Sequence, residues 1–278
     1  MVSALTVCVP AYDAERTLAV TLESVLAEDA DFELLVLDNA SVDRTGEIAR
    51  STGDPRVRVL RNESVLPIGA NWDRVIRAAS GDLVKVVCAD DILRPGALTE
   101  QWALMADSSI AICAGRFDVI DEQGALLETD LGLPGLLGRR TPRELAKVIV
   151  RRGPAEFGPT AAAMFRLADY RRVGGLRPDL VFPMDVDLFA RVATGGHFVG
   201  MERIVAAWRN SSFNLCSRTT TRSKLTDMYR FHHRLVVDHP ELVTRADVLT
   251  GDLRLVGQIM ERVRVRTLGA VSAVRPGE

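Results

Sequence analysis

Short apolar runs alternate with amphipathic segments through the first half of the chain. The near-continuous runs are typical of strands covered on both faces, and they predict strands over residues 5–9, 32–37, 56–60, 83–88 and 110–114. Helical spacing between the first two runs predicts a helix with Asp13 as its N-cap, and further helices are expected over residues 43–50, 68–79 and 95–105. This alternation predicts an α/β fold with a mostly parallel central sheet flanked by helices.

The alternation breaks after Arg116. We expect a hairpin around residues 121–124, a Gly/Pro-rich stretch over 131–138 and a helix over 142–150. The far side of the same sheet is predicted to contain a strand at 161–165, a helix at 187–194 and a strand at 204–208. From Thr221 onward the spacing predicts helices, with one apolar face of Leu225, Met228, Phe231, Leu235 and Val236 and another of Leu253, Val256, Ile259, Met260 and Val263. Residues 1–217 are therefore the expected sheet domain, and residues 218–278 a helical C-terminal extension packed on or beside it.

Length and charge limit the classes of function. A chain of 278 residues with 47% hydrophobic residues can bury a large core, and its net charge of −2 gives no overall attraction to nucleic acid. No apolar run reaches the roughly 18 residues that span a bilayer, so we expect a soluble, cytoplasmic protein with no transmembrane segment. The last helix contains Arg254, Arg262, Arg264 and Arg266. Its basic face leaves open a solvated surface, peripheral contact with the inner membrane face, or a homodimer through the C-terminal helices.

The cysteines give no sign of a zinc site or a disulfide framework. Cys8, Cys88, Cys113 and Cys216 lie far apart, with no C-x-x-C pair and no clustered histidine. We expect reduced and mostly buried thiols.

Acidic residues are concentrated where the predicted strands end. Asp38 closes the second strand, and Asp90 with Asp91 follows the fourth. Ligands of open α/β sheets bind beyond the carboxyl ends of the strands, so these carboxylates are expected in one cleft. A divalent cation would relieve the repulsion between adjacent carboxylates and bridge to phosphate oxygens, which favours Mg²⁺ or Mn²⁺. The alternative is that Asp90 and Asp91 only turn the chain and cap the helix near Pro95.

Five segments occur in the order found in family 2 glycosyltransferases of the GT-A fold, over about residues 3–217. The first three resemble the opening strand and loop, the V-D-D-G-S-x-D-x-T turn and the strand with the D-x-D element: TVCVPAYDAERTL, LLVLDNASVDRT and GDLVKVVCADDILRPGAL. The last two resemble the acceptor segment with the E-D-x-D-L-x-x-R signature and the Y-R-x-H element: FGPTAAAMFRLADYRRVGGLRPDL followed by MDVDLFARVATGG, then AAWRNSSFN. The resemblance implies a Rossmann-like GT-A domain that uses a nucleotide-sugar donor.

On the donor side, the resemblance implies that Pro10, Tyr12 and Asp38 line the pocket for the nucleotide base. Asp38 would accept a hydrogen bond from a uracil, thymine or guanine N–H, so UDP-, dTDP- or GDP-sugars are the expected donors. Asn71 is expected to face the same cleft, whereas Trp72 faces the cleft or packs in the core. For Tyr12 the alternative is an ordinary half-exposed loop aromatic.

At the diphosphate, the resemblance implies that Asp90 binds the metal, with Asp91 as a second contact. Cys88 occupies the first acidic position of the D-x-D element, and Ser211 occupies the position of the family's histidine. Magnesium can still bind through one or two carboxylates and waters. Arg209 is retained and is expected to neutralise the departing diphosphate.

On the acceptor side, Asp185 matches the family's catalytic base, and Phe157, Gly158 and Pro159 are expected to shape the acceptor site. Asp187 is interpreted instead as an N-cap or as the partner of Arg191 at i+4. The resemblance implies an inverting transfer to a hydroxyl or similar acceptor, which stays unidentified. The alternative is a non-catalytic nucleotide-sugar-binding or scaffold protein, because Cys88 and Ser211 replace usual ligands.

Overall fold

The computed structural model describes residues 4–257, with the side chain of Cys216 left out. The strands are β1 Leu5–Ala11, β2 Phe32–Asp38, β3 Val57–Arg61, β4 Leu83–Val86, β5 Ile92–Leu93, β6 Ile110–Ile120, β7 Leu126–Leu131, β8 Gly138–Arg140, β9 Ala163–Arg166 and β10 His197–Arg209. The helices are α1 Leu18–Leu26, α2 Thr45–Ser51, α3 Ile68–Arg77, α4 Ala97–Leu104, α5 Pro142–Arg152, α6 Leu167–Arg172, α7 Met184–Val192, α8 Leu215–Arg218 and α9 Thr221–Asp238. Residues 245–257 are also helical.

One sheet joins all ten of these strands. Its main order is β3-β2-β1-β4-β9-β6-β10-β5, with β7 paired to β6 and β8 paired to β10. The first four strands are parallel, β10 runs parallel to β6, and β9 runs antiparallel between β4 and β6. The strand predicted near residues 161–165 therefore lies in the middle of the sheet, where it joins the two parallel blocks.

Apolar side chains cover both faces of the sheet, as the near-continuous apolar strands require. On one face α3, α5, α7 and α9 contribute to a core that contains Val75, Ile149, Phe189 and Phe231. On the other face α1, α2 and α4 contribute Leu22, Ala49 and Leu98, among others, to a second core. The result is a three-layer α/β/α arrangement in which α9 shares the core of the sheet.

Several local predictions about helix ends are wrong. The N-cap of α1 is Thr17, whereas Asp13 has a φ of +45° and accepts a hydrogen bond from the Val42 N–H at 3.0 Å. Helix α4 begins after Gly96, and the Glu28 carboxylate accepts from the N–H groups of Gly96 and Leu98 at 2.8 and 2.7 Å. Asp90 and Asp91 therefore do not cap that helix. At α4 the predicted local cap is replaced by Glu28, which is distant in the chain, and at α1 no side chain caps the helix.

The first predicted apolar face of the C-terminal segment is confirmed, but the second is wrong where it is described, because Leu253 and Val256 are 62% and 54% exposed and Leu255 is buried instead. Met228, Phe231 and Leu235 are buried, and Leu225 and Val236 pack against them. The predicted contacts of Ile259, Met260 and Val263, and the basic residues Arg262, Arg264 and Arg266, lie outside the described residues. Within residues 4–257, no helix combines the length and apolarity needed to cross a membrane.

Candidate active site at the carboxyl ends of the strands

The predicted donor-side residues meet at one edge of the sheet. The register pairs Ala11 of β1 with Asp38 of β2, and Val87, just after β4, donates to the Cys8 carbonyl of β1 at 2.9 Å. Because β1, β2 and β4 are parallel, Asp38 and the Cys88–Asp91 turn leave the sheet at the same edge. This is the edge at which open α/β sheets bind ligands.

The predicted acceptor-side residues reach the same edge through β9. Since β9 runs antiparallel to β4, its start at Ala163 lies beside the end of β4. Gly158, Pro159 and a short 3-10 turn over Thr160–Ala162 directly precede it. The Thr160 hydroxyl donates to Asp185 Oδ2 at 2.8 Å and so ties the first turn of α7 to this edge.

The Cys88–Asp91 turn concentrates negative charge. The Cys88 Sγ and the carboxylates of Asp90 and Asp91 all lie within 4.8 Å of one another. Burial raises the pKa of the Asp90 carboxyl. Burial, and then the charge of Asp90, raise the pKa of the Asp91 carboxyl well above its ordinary value. Two adjacent carboxylates thus share a site with too little compensating charge.

Arg209 closes this turn from β10. Its backbone N–H donates to Asp91 Oδ1 at 3.1 Å, and its Nε donates to the Asp90 carbonyl at 2.9 Å. Its Nη1 donates to the carbonyls of Asp121 and Glu122 at 3.1 and 3.0 Å, and the residue is only 4% exposed. The guanidinium therefore joins two backbone segments, at Asp90 and at Asp121–Glu122, and its charge only partly offsets that of Asp90.

The donor set of the turn fits a divalent cation. Carboxylate oxygens suit Mg²⁺ and Mn²⁺, and a cation between Asp90 and Asp91 would remove the repulsion that raises the Asp91 pKa. The Cys88 thiol donates a hydrogen bond to Asp91 and offers a softer sulfur ligand. Among the described residues this is the one cluster of His, Cys, Asp or Glu side chains that meets such spacing.

Asp185 presents a carboxylate without a cationic partner in the described chain. Oδ2 accepts from the Thr160 hydroxyl, and Oδ1 accepts from the Val186 N–H at 2.8 Å. Burial raises the pKa of this carboxyl despite both hydrogen bonds. Such a carboxylate is oriented and more basic than a solvated one, as a general base requires.

Asp187, two residues further along α7, is neutralised. Its carboxylate lies 2.6 Å from Arg191 Nη2 and 3.3 Å from Arg177 Nη1, and its side chain is fully buried. The predicted i+4 pair with Arg191 is confirmed, and the predicted N-cap role is wrong because Pro183 precedes the helix.

At the predicted pocket for the nucleotide base, Pro10 is buried in β1 and Tyr12 is half-exposed in the loop that follows. Asp38 is fully buried, and Oδ1 accepts from the Ser41 N–H at 2.9 Å while Oδ2 pairs with Arg61. Arg61 lies opposite Asp38 in the register of β3 with β2, and its side chain is 48% exposed. Of this pair, only Arg61 is exposed to solvent.

Asn71 belongs to a buried amide network behind this loop. Asn62 donates to the side-chain oxygens of Asn71 and Asn39 at 2.9 and 2.5 Å and accepts from Arg74 at 2.6 Å. Trp72 is 8% exposed and packs in the core, which confirms the packing interpretation.

The acceptor-side loop has a close-packed phenylalanine and a position that requires glycine. Phe157 is fully buried and stacks on Phe189, with ring centroids 4.9 Å apart. Gly158 has a φ of +108°, and a Cβ there would lie 2.8 Å from Phe117 Cδ1. Only glycine fits this backbone and leads the chain into Pro159 and Thr160.

The sequence patterns did not predict two residues of this edge, Arg61 and Thr160. Thr160 follows the quoted Gly158–Pro159 step and is the only hydroxyl in that motif near its start, which is a usable signal. Arg61 has no local signal, because its partner lies 23 positions earlier.

This chain is similar to known proteins in its sequence. The model of the family described as "Glycosyl transferase family 2" matches residues 6–174. The protein MT1568 of Mycobacterium tuberculosis is 28% identical over 242 residues, which are 84% of this chain and 76% of that protein. The Escherichia coli protein WfgD, named a UDP-Glc:alpha-D-GlcNAc-diphosphoundecaprenol beta-1,3-glucosyltransferase, is 29% identical over 42% of this chain and 47% of its own length. The chain thus spans about half of WfgD.

Solved structures show the same fold. Staphylococcus aureus TarS 1-349 in complex with UDP-GlcNAc has a TM-score of 0.64 at 15% identity, over 84% of this chain and 66% of that one. The mannosyltransferase PcManGT from Pyrobaculum calidifontis, in complex with GDP-Man and Mn²⁺, has a TM-score of 0.63 at 15% identity, over 98% and 81%. These likenesses confirm the predicted GT-A fold. Because the family model covers more than half of the chain, the protein belongs to glycosyl transferase family 2.

Proposed function

We propose that this protein transfers a sugar, with inversion, from a nucleoside-diphosphate sugar to a hydroxyl acceptor. The observation that carries the proposal is the pairing of two acidic centres at one sheet edge. Asp185 is oriented, lacks a cationic partner and has a raised pKa, while the Cys88–Asp91 turn has excess negative charge. One centre suits proton removal, and the other suits a metal-bound diphosphate.

The donor's base would bind at the loop after β1 in this proposal. Pro10 and Tyr12 would form its apolar wall, and Asp38 would act through Arg61 and Ser41, since both of its oxygens are already bonded. Asn71 would hold the shape of the loop at residues 62–66 through the amide network. UDP, dTDP and GDP remain the candidate nucleotides, and the relatives above include complexes with UDP-GlcNAc and GDP-Man.

Asp90 and Asp91 would hold Mg²⁺ or Mn²⁺, with Cys88 beside them. When bound, the ion would screen the charge that develops on the departing nucleoside diphosphate. Arg209 would fix the turn by bonding the Asp90 carbonyl, so that both carboxylates face the same space. Its buried charge adds electrostatic support for the leaving group.

Asp185 would take the proton of the acceptor hydroxyl as that oxygen attacks the anomeric carbon. General-base catalysis of this kind contributes roughly 10²- to 10⁴-fold to the rate. No second carboxylate of α7 is available as a covalent nucleophile, because Asp187 is held by Arg177 and Arg191. A single displacement inverts the configuration at the anomeric carbon. Gly158 and Pro159 would border the acceptor, and the relative WfgD suggests a saccharide hydroxyl as acceptor.

The test measures sugar transfer, and slow donor hydrolysis, by purified protein with UDP-Glc, UDP-GlcNAc, dTDP-Glc and GDP-Man, with and without Mn²⁺. We expect turnover of at least one donor in the presence of Mn²⁺. Asp185→Asn is expected to lower turnover roughly 10²- to 10⁴-fold with nucleoside diphosphate affinity near wild type. Asp54→Asn makes the same chemical change at the opposite sheet edge and serves as the matched control.

Asp90→Ala separates the metal centre from the base. Here the affinity for the nucleoside diphosphate should fall, and the difference between samples with and without Mn²⁺ should shrink. Unchanged turnover in Asp185→Asn would refute the assignment of the base. An Mn²⁺ effect that survives intact in Asp90→Ala would refute the assignment of the metal site.

A further inference from the structure

An exposed arginine lies beside the acidic turn and pairs with no carboxylate of the described residues. Arg16 precedes α1, and its guanidinium carbon lies 3.6 Å from the centre of the Phe213 ring. Within residues 4–257 its side chain has no hydrogen bond and no ion pair, whereas nearby Arg44 pairs with Glu47 at 2.9 Å. An unpaired arginine held on an aromatic ring retains its fork of N–H donors for a ligand.

The surrounding bonds place Arg16 at the site described above. The next residue, Thr17, donates through its hydroxyl to the Ala89 carbonyl at 2.8 Å, and Ala89 directly precedes Asp90. On the other side, Phe213 follows Ser211 by two positions in the loop after β10. Arg16 thus bridges the segment that leads to the predicted metal ligands and the loop that lacks the expected histidine.

The loop that carries Phe213 has its own anchor. Glu122 accepts from the Ser212 N–H and hydroxyl at 3.0 and 2.9 Å. These bonds, and to a smaller degree the nearby charge of Arg16, lower the pKa of the Glu122 carboxyl. The backbone next to Phe213 is therefore anchored, and the Phe213 N–H itself donates to Ser211 Oγ at 3.0 Å, although the side chain is 54% exposed.

Arg209 is less able than Arg16 to donate N–H groups to a ligand. Its Nε and Nη1 already donate to the carbonyls of Asp90, Asp121 and Glu122, and moving it would break all three bonds. Arg16 has no such bonds to lose. Its guanidinium carbon lies over the ring of Phe213, and this cation–π contact uses none of its N–H groups in a hydrogen bond within the described residues.

We propose that Arg16, which lies over the ring of Phe213, binds the diphosphate of the nucleotide-sugar donor in the position left open by Ser211. This rests on the proposed function. Arg16 contacts the phosphates directly, and Phe213 is a positioning residue that reduces the freedom the arginine loses on binding. The phosphates contribute the anionic oxygens that match a planar guanidinium fork.

The experiment measures binding of UDP, dTDP and GDP by calorimetry in Mn²⁺, each compared with its parent nucleoside. Hydrogen bonds to charged groups contribute about 1.5–3 kcal/mol, so Arg16→Ala should weaken binding of the preferred diphosphate roughly 10- to 100-fold. The affinity for the nucleoside should change less than about threefold, since it has no phosphate. Arg16→Lys should fall between these values, because it keeps the charge and loses the fork.

Two further variants define the contact. Phe213→Leu should weaken diphosphate binding only a few-fold, because a cation–π contact at an exposed site contributes about 0.5–1 kcal/mol. Arg44→Ala removes an exposed arginine of a neighbouring loop and should leave binding unchanged. Thermal unfolding of each variant should match wild type, since both side chains are exposed.

The outcomes separate this inference from the proposed function. Wild-type affinity for the diphosphate in Arg16→Ala, or an equal loss for diphosphate and nucleoside, overturns the role of Arg16 while the transferase assignment stands. Failure of the wild-type protein to bind any of the three diphosphates in Mn²⁺ overturns both.

Discussion

The Cys88–Asp91 turn and the first turn of α7 each contain two aspartates, yet their electrostatics differ. In the Cys88–Asp91 turn both carboxylates are close together, and burial raises the pKa of both. In α7 the two aspartates have different partners. Asp187 forms ion pairs with two arginines, and Asp185 accepts hydrogen bonds from a hydroxyl and a backbone N–H.

The difference teaches that the positions of the cations decide what an acidic cluster can do. Two neighbouring carboxylates without enough positive charge create a site for an external cation. One carboxylate isolated from cations, but held in place, becomes a base. The arginines around Asp187 hold its carboxylate in ion pairs inside the protein.

The largest effect that would test this contrast is expected from Asp187→Asn. Removing one partner of a buried ion pair leaves uncompensated charge and costs about 3–5 kcal/mol, and here two arginines would lose their partner. We expect a clear loss of free energy of unfolding by chemical denaturation, with turnover per folded molecule retained. Asp185→Asn provides the comparison, since it should lose turnover and keep stability. A stable but inactive Asp187→Asn enzyme would reverse the assignments.

Local pattern predicted the pair of Asp187 and Arg191, because partners at i+4 on one helix follow from spacing alone. Local pattern also predicted the strands, because a strand buried on both faces must be apolar along its length. Asp38 could be placed at a strand end, but its pairing with Arg61 depends on the register of β3 with β2. The N-cap expected at Asp13 failed because its side chain bonds the Val42 N–H from a separate loop.

The site shows the same limit. The motif identified Asp185, but Thr160, which orients it, lies 25 positions away and reaches it only through the packing of α7. The motif also identified Arg209 without showing that its guanidinium bonds three carbonyls. Residue type and order predicted which groups gather at the edge, and tertiary contacts determine which of them are free to meet a ligand.

A smaller effect is expected from Thr160→Val, measured as the pH dependence of turnover. Asp185 must be ionised to act as a base, so the wild-type rate should rise as pH increases through the raised pKa of this carboxyl. The Thr160 hydroxyl bond favours the ionised form. Its loss should therefore lower the advantage of the ionised form and move the rise to higher pH, with a lower rate below the shifted pKa and recovery above it. An unshifted profile with a uniformly lower rate would indicate a purely structural role.

Ionisation of Asp185, which is expected to increase activity, is expected to decrease the stability of the fold. A carboxyl whose pKa is raised on folding contributes stability below its unfolded pKa, and this contribution is lost as pH rises through the folded value. Above its folded pKa the ionised Asp185 thus lowers the free energy of unfolding. Asp185→Asn should unfold at a temperature no lower than wild type, and the gap should close as the pH is lowered.

The smallest effect is expected from Cys88→Asp. This change adds a third carboxylate to the Cys88–Asp91 turn and so increases its difference from the first turn of α7. The preference among metal ions should change, because sulfur favours softer ions and carboxylate oxygen favours Mg²⁺. We expect the ratio of Mg²⁺- to Cd²⁺-supported diphosphate binding to rise a few-fold, with Cys113→Ser as a buried-thiol control outside the cluster. An unchanged ratio would mean that the sulfur of Cys88 does not contact the ion, and that the two carboxylates alone set the metal preference of the turn.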